Sequence, residues 1–169
     1  MSNAATPFVP KDGKITIADN TGTPKTLIIP YEDGDLQISG LEASQQTHQE
    51  FRARGKVYSV RTVEDRPIEF TFTCHATQFL SDGTTATPFD VAMKLGVWSS
   101  ATTMSPNTGD AFLVKVTWTG ERSDFGATAD NTVVYKYCRL EVDFAEGIPG
   151  KFTIKGTAYN FSTDAYTYA

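Results

Sequence analysis

Two cysteines, Cys74 and Cys138, are all that this chain of 169 residues carries. That is too few for a disulfide framework, and their spacing is not that of a metal site. Two histidines, His48 and His75, complete the soft-ligand inventory. His75 follows Cys74 directly, and neighbours on a strand point to opposite faces, so the two cannot share one metal. No zinc site and no cofactor are expected. A Gly-x-Ser-x-Gly elbow and a glycine-rich phosphate loop are both missing. No run approaches the ~20 apolar residues of a membrane-spanning helix. The stretch Met1-Ser2-Asn3-Ala4-Ala5 has neither the charged nor the apolar region of a signal peptide. The chain is therefore expected in the cytosol, or outside the cell by a route other than secretion. Basic charge is in the minority, fifteen Lys and Arg against twenty Asp and Glu, for a net charge of −5. That balance argues against a general nucleic-acid binder, which needs cations to neutralise phosphates. It leaves open a surface that DNA must pass without adhering.

What the chain has in quantity is alternation. Hydrophobic residues make up 40% and charged residues 21%, ordinary values for one globular domain. Residues 1–169 read as a single domain without internal repeats, with flexible extensions at 1–11 and 161–169. Period-two patterning predicts strands through Ile15 and Ile17, through Thr26-Leu27-Ile28-Ile29, and through Leu36, Ile38 and Leu41. The turn after the first is expected at Asp19-Asn20-Thr21-Gly22, where Asn and Gly tolerate positive φ, and another at Asp33-Gly34. A strong strand follows Pro67, with Ile68, Phe70, Phe72, Cys74 and Ala76 on one face and Glu69, Thr71, Thr73, His75 and Thr77 on the other. Thr87-Pro88 opens the one good helix, which Gly96 is expected to cap. Ser99–Gly109 and Glu121–Asn131 read as loops. Phe112, Val114, Val116 and Trp118 define a further strand. In the next, Val134, Cys138, Leu140, Val142 and Phe144 oppose Tyr135, Tyr137, Arg139, Glu141 and Asp143. The turn Glu146–Gly150 leads to a last strand from Phe152. Some eight strands and one short helix predict a mainly β fold, an antiparallel sandwich or barrel.

Residues 42–66 differ from the rest. Apolar side chains are sparse there, and Arg54-Gly55-Lys56 reads as the tip of a hairpin joining 47–53 to 57–63. His48, Glu50, Arg52 and Arg54 are expected on one face of the first arm, and Val57, Ser59, Arg61 and Val63 on one face of the second. Such a hairpin does not hold its shape alone in water, so it must lie on the body of the protein or on another subunit. Elsewhere, both cysteines fall on apolar positions, where Cys packs as a small hydrophobe. Glu141 and Asp143, roughly 7 Å apart along a strand, have a spacing that glycosidases use, but such pairs are common on solvated faces. The polar rows Glu69-Thr71-Thr73-His75-Thr77 and Arg139-Glu141-Asp143 have a plain reading, a sheet with one wet face. They have a sharper one too, strand faces that join across subunits to line a wet channel.

The layout resembles that of the major tail tube proteins of long, non-contractile-tailed bacteriophages. The resemblance runs from Lys11 to Asn160. It is carried by Gly40-Leu41-Glu42-Ala43-Ser44 leading to the Arg54-Gly55-Lys56 hairpin, by Ile68-Glu69-Phe70-Thr71-Phe72-Thr73 and the helix from Phe89 to Leu95, and by Arg139–Phe144 turning through Glu146–Gly150 into Phe152–Gly156. It implies a non-enzymatic virion protein, assembled in the host cytoplasm and located in the tail. Subunits of that family form six-fold rings that stack into a hollow tube, the conduit for tape-measure protein and DNA. Tail terminator and tail tip proteins would be its further partners. Bores in this family tend to be acidic, so that DNA does not adsorb. Glu69, Thr71, Thr73, Glu141 and Asp143 are the bore-lining candidates. Glu50, Arg52, Arg54, Lys56 and Arg61 are the candidates for contact between subunits. Two alternatives stand beside this: the tube protein of a bacterial contractile secretion system, and a secreted-type carbohydrate-binding or adhesin sandwich using Tyr135, Tyr137, Tyr166 and Tyr168.

Overall fold

Strand β8, Asn131–Ala145, organises the molecule. The computed structural model describes residues 12–30, 36–41, 46–121 and 131–169. The expected Asp33-Gly34 turn, the 1–11 extension, residues 42–45 and nearly all of the 121–131 connection lie outside them. Before β8 come β1 (Asp12–Ala18), β2 (Thr26–Pro30), β3 (Gln37–Ser39), β4 (Gln46–Ala53), β5 (Lys56–Asp65), β6 (Ile68–His75), the helix α1 (Pro88–Met93) and β7 (Val114–Glu121). After it come β9 (Lys151–Ala158) and β10 (Tyr166–Tyr168). The fold is mainly β and antiparallel, with a single short α-helix, as the alternation predicts.

All strands except β4 and β5 form one sheet in the order β2-β1-β7-β8-β9-β6-β3, with β10 also paired to β8. The N-terminal half of β8 pairs with β7 and its C-terminal half with β9. The sheet folds over at β8, so that its two halves face each other as a sandwich. Phe70 of β6 stacks on Tyr135 of β8 at 5.7 Å between ring centroids, although those strands are not neighbours in the sheet. Between the layers lie Ile15, Ile17, Ile68, Phe72, Val116, Cys138, Phe152 and Ile154, with Val91 and Trp98 closing one end. Burial of each large side chain contributes roughly 1.5–3 kcal/mol. Both cysteines are buried here as expected, and burial holds the Cys138 thiol far above its ordinary pKa, so no thiolate is on offer.

One inserted residue decides how β8 serves both layers. Val114 pairs with Cys138 but Val116 pairs with Tyr135, so β8 carries one extra residue between them. A bulge of this kind reverses the in–out parity. Tyr135 therefore points inward on one side of it and Cys138 on the other. Strict alternation, which put Tyr135 and Tyr137 on the wet face with Arg139, is corrected for Tyr135, while Tyr137 keeps that side but is not wet. Tyr137 lies in a second small core with Leu113 and Ala165 on the sheet's outer side. That core is covered by residues 159–169. The C-terminal segment 161–169, expected as an extension, is thus built into the fold: β10 pairs with β8, and Thr132 and Ala169 exchange two backbone hydrogen bonds.

Two local expectations are also corrected. The turn after β1 has no positive φ at Asn20 or Gly22. It is shaped by Asp19, buried, whose carboxylate accepts from Lys25 N–H at 2.7 Å, Thr102 N–H at 3.0 Å and the Thr21 hydroxyl at 2.7 Å. Helix α1 starts as predicted, with Thr87 as N-cap, and Asp90 completes a capping box by accepting from Thr87 N–H at 2.9 Å. Its end is not Gly96 but Lys94, which takes the left-handed conformation; Gly96 opens a 3-10 turn through Trp98.

Asp19 yields a pH prediction. Burial works to raise its pKa, but the hydrogen bonds from Thr21, Thr102 and Lys25 outweigh it, and the net shift is downward. A depressed carboxyl stabilises the fold above its unfolded value of ~3.9, and that contribution is lost as pH falls further through the folded value. Asp19→Asn is expected to cost about 2 kcal/mol at neutral pH, because its amide meets N–H donors. Urea melts at pH 7 and pH 3 check this: the gap between wild type and variant should narrow at pH 3.

Candidate functional site

The polar rows singled out in the sequence come together. Strands β8, β9, β6 and β3 are successive neighbours, and directly paired residues share a face. Glu69 stands opposite Thr157, which stands opposite Arg139. The next rung is Thr71, Lys155 and Glu141, and the next Thr73, Thr153 and Asp143. Ser39 and Gln37 of β3 extend the first two rungs beyond Glu69 and Thr71. All five bore candidates therefore occupy one continuous outer sheet face, with Glu69, Glu141 and Asp143 exposed and the two threonines half-buried.

The face is not acidic. Glu69, Glu141 and Asp143 are matched by Arg139, Lys151 and Lys155. Lys155 donates to Asp143 at 2.8 Å, and that hydrogen bond, aided by the nearby charges, raises the lysine's pKa. Arg139 is paired with Glu141. Each acid of the Glu141/Asp143 pair is thus engaged with a cation, an exposed arrangement of salt bridges. Among the described residues no group of three or more His, Cys, Asp and Glu is placed to hold a metal ion, and no helix is long and apolar enough to cross a membrane.

The second candidate surface is the hairpin β4–β5. It is a separate two-stranded sheet, and no element of the sandwich packs on it to any extent. Among the described residues, the hairpin does not lie on the sandwich. The tip is the two-residue turn Arg54-Gly55, with φ of 51° and 81°, the left-handed pair that matches the twist of a hairpin. Lys56 belongs to β5, where it pairs with Ala53. The predicted faces need correction, because Phe51 pairs with Ser59 while Arg52 pairs with Val57, and Thr47 pairs with Glu64 while His48 pairs with Thr62. β5 thus carries Tyr58 and Val63 as extra residues. Val57 falls on the face of Glu50, Arg52 and Val60, opposite Ser59 and Arg61. On the other face Arg61 lies over the Phe51 ring, 5.2 Å from its centroid. Arg52 pairs with Glu50 at 2.8 Å. Phe51, Val57, Tyr58, Val60 and Val63 are all exposed, Tyr58 at 79%.

Two of the tyrosines named for a sugar-binding face do not serve it. Tyr135 and Tyr137 are 3% and 6% exposed, one in each core; Tyr168 is exposed and Tyr166 half-buried. Nothing in the alternation warned of this: the bulge that turns Tyr135 inward has no glycine or proline to mark it, and Tyr137 is buried on the outer side by the C-terminal segment. Comparison with protein-family models, with curated proteins and with solved structures found no match to this chain.

Proposed function

We propose that this chain is a structural, self-assembling subunit of the tail tube type, forming six-fold rings that stack around a bore for tape-measure protein and DNA. The observation that carries the reading is the hairpin. An isolated two-stranded ribbon is at best marginally stable in water, and this one leaves five large apolar side chains uncovered among four cations. Contiguous exposed apolar surface marks a site of association. A neighbouring subunit supplies the cover that the hairpin's own body does not.

The polar face suits the bore for a reason other than acidity. Its cations Arg139 and Lys155 are held by Glu141 and Asp143, so a passing phosphate must displace a carboxylate to bind. A wall of this kind releases few counterions on contact with DNA and gives it little to adhere to. Catalysis has no part in this reading.

Electron microscopy of the concentrated protein tests it. Six-fold rings or tubes are the expected result. A strict monomer in sedimentation at the highest soluble concentration would overturn the reading.

A further inference from the structure

Beside the polar face, at its Arg139 margin, the outer side of β8 carries a hollow of about 240 Å³. Three stretches of chain build it. The loop before β7 gives Asn107, Asp110 and Leu113, β8 gives Arg139, and the segment after β9 gives Tyr159 and Phe161. The hollow is held in shape before any ligand arrives. Its loop closes on itself through Met104 N–H, which donates to the Leu113 carbonyl at 2.8 Å, and the Thr103 hydroxyl, which donates to the Ala111 carbonyl at 3.1 Å. Within the loop, Oδ2 of Asp110 accepts from the Ser105 hydroxyl and, at 3.2 Å, from the Asn107 amide. Arg139 is fixed by Glu141. The Phe161 ring stands edge-on to the buried Tyr137, with 5.2 Å between centroids. Groups already fixed in this way lose little freedom on binding.

The lining narrows the ligand step by step. Pockets for drug-sized molecules begin at roughly 300 Å³, so this one takes a single ring. One guanidinium and one carboxylate share the walls: an anion would meet Asp110 and a cation Arg139, which selects an uncharged ligand. A wholly apolar ring would strip water from Asn107, Asp110 and Arg139 and return no hydrogen bond, at a cost in free energy. Hydroxyl groups answer all three, because they donate to the carboxylate and accept from the guanidinium and the amide. The remaining wall is aromatic. Tyr159 and Phe161 lie 6.1 Å apart at 39° to each other, and their electron-rich faces attract C–H groups. Rings tilted in this way form a V, not the parallel slot that would grip a flat nucleobase on both faces.

We infer that this hollow is a binding site for one uncharged sugar ring, a pyranose whose C–H face lies on Tyr159 and Phe161 and whose hydroxyls bond to Asn107, Asp110 and Arg139. Tyr137 does not touch the sugar; it supports Phe161 from the second core. The site is a further function beside self-assembly and does not rest on that reading.

Saturation-transfer NMR on the full-length protein tests it, since the method reads monomers and large assemblies alike. The probes are glucose, galactose, mannose and N-acetylglucosamine, with adenosine as a flat neutral base and benzoate as an aromatic anion for comparison. Saturable transfer to the ring C–H groups of at least one sugar is expected, with a dissociation constant of about 1 mM. Phe161→Leu keeps the apolar bulk and removes the aromatic face, and should weaken binding about fivefold. Asn107→Ala, at an exposed position outside both cores, should also weaken it about fivefold. Thermal melts establish that each variant is folded. The site is overturned by transfer to none of the sugars, by equal or stronger transfer to adenosine or benzoate, or by affinities that neither substitution moves. Sugar binding by a strict monomer keeps the site and sinks the tube reading. Six-fold rings that bind no sugar do the reverse.

Discussion

Gly156→Ala is expected to destabilise the fold by about 3 kcal/mol or more, the upper range for overpacking a core. Gly156 pairs with Phe70 on one side and Leu140 on the other. The Phe70 ring lies over it: a Cβ there would stand 2.0 Å from Cζ and 2.4 and 2.5 Å from the two Cε atoms. Phe70 is 2% exposed and is stacked on Phe72 at 6.2 Å and on Tyr135 at 5.7 Å. It has no room to retreat without breaking contacts in both layers, and interiors packed to this density pass such strain on. Denaturant melts of Gly156→Ala, Phe70→Ala and the double variant check this. Phe70→Ala should itself cost about 3–5 kcal/mol. Once the ring is gone, adding Gly156→Ala should cost little, so the pair must be strongly non-additive. A Gly156→Ala variant within 0.5 kcal/mol of wild type, the range of neutral surface changes, would falsify this account of the position.

Deleting residues 47–62 should have the opposite profile, abolishing assembly while leaving the fold intact. The hairpin forms its own sheet and lends no side chain to either core. Its removal therefore takes nothing from the body's buried surface. The melting temperature should stay within about 3 °C of wild type, the shift that about 1 kcal/mol produces in a domain of this size. Rings and tubes should vanish from electron micrographs, and sedimentation should report a monomer. If the shortened chain still polymerises, the hairpin is not the contact that holds copies together.

Much of this architecture was legible in the alternation of side chains, and its failures have identifiable causes. The strand from Ile68 to Cys74 buries every second residue because nothing interrupts its pairing with β9. The hairpin announced itself by its poverty in apolar residues and by Gly55, which allows the turn. What alternation could not convey is where a strand gains a residue against its partner. Three such slips, one in β8 and two in β5, account for the misplaced Tyr135 and Val57, because a bulge is a property of a pair of strands and not of either alone; Tyr137 keeps its outer side and is buried by the C-terminal segment. Asp19 was hidden for a different reason. Its partners Lys25 and Thr102 are brought to it by the fold, and only the assembled loops show why an acid is buried there. The five polar candidates were drawn from two separate strands. That β9 lies between them, with Lys155 as their common neighbour, followed from topology that one-dimensional pattern does not carry.

The bulge in β8 has a bearing on how the molecule holds together. Sandwiches are usually two sheets joined by loops, and a loop is a place where one part can loosen while the other stays. Here a single strand, without a turn, is structural beam for both layers, and the inserted residue is what lets it face inward at each end. The two layers consequently share one mechanical fate. Neither half of the sheet encloses the main core without the other, so unfolding in a single cooperative transition is the expected behaviour.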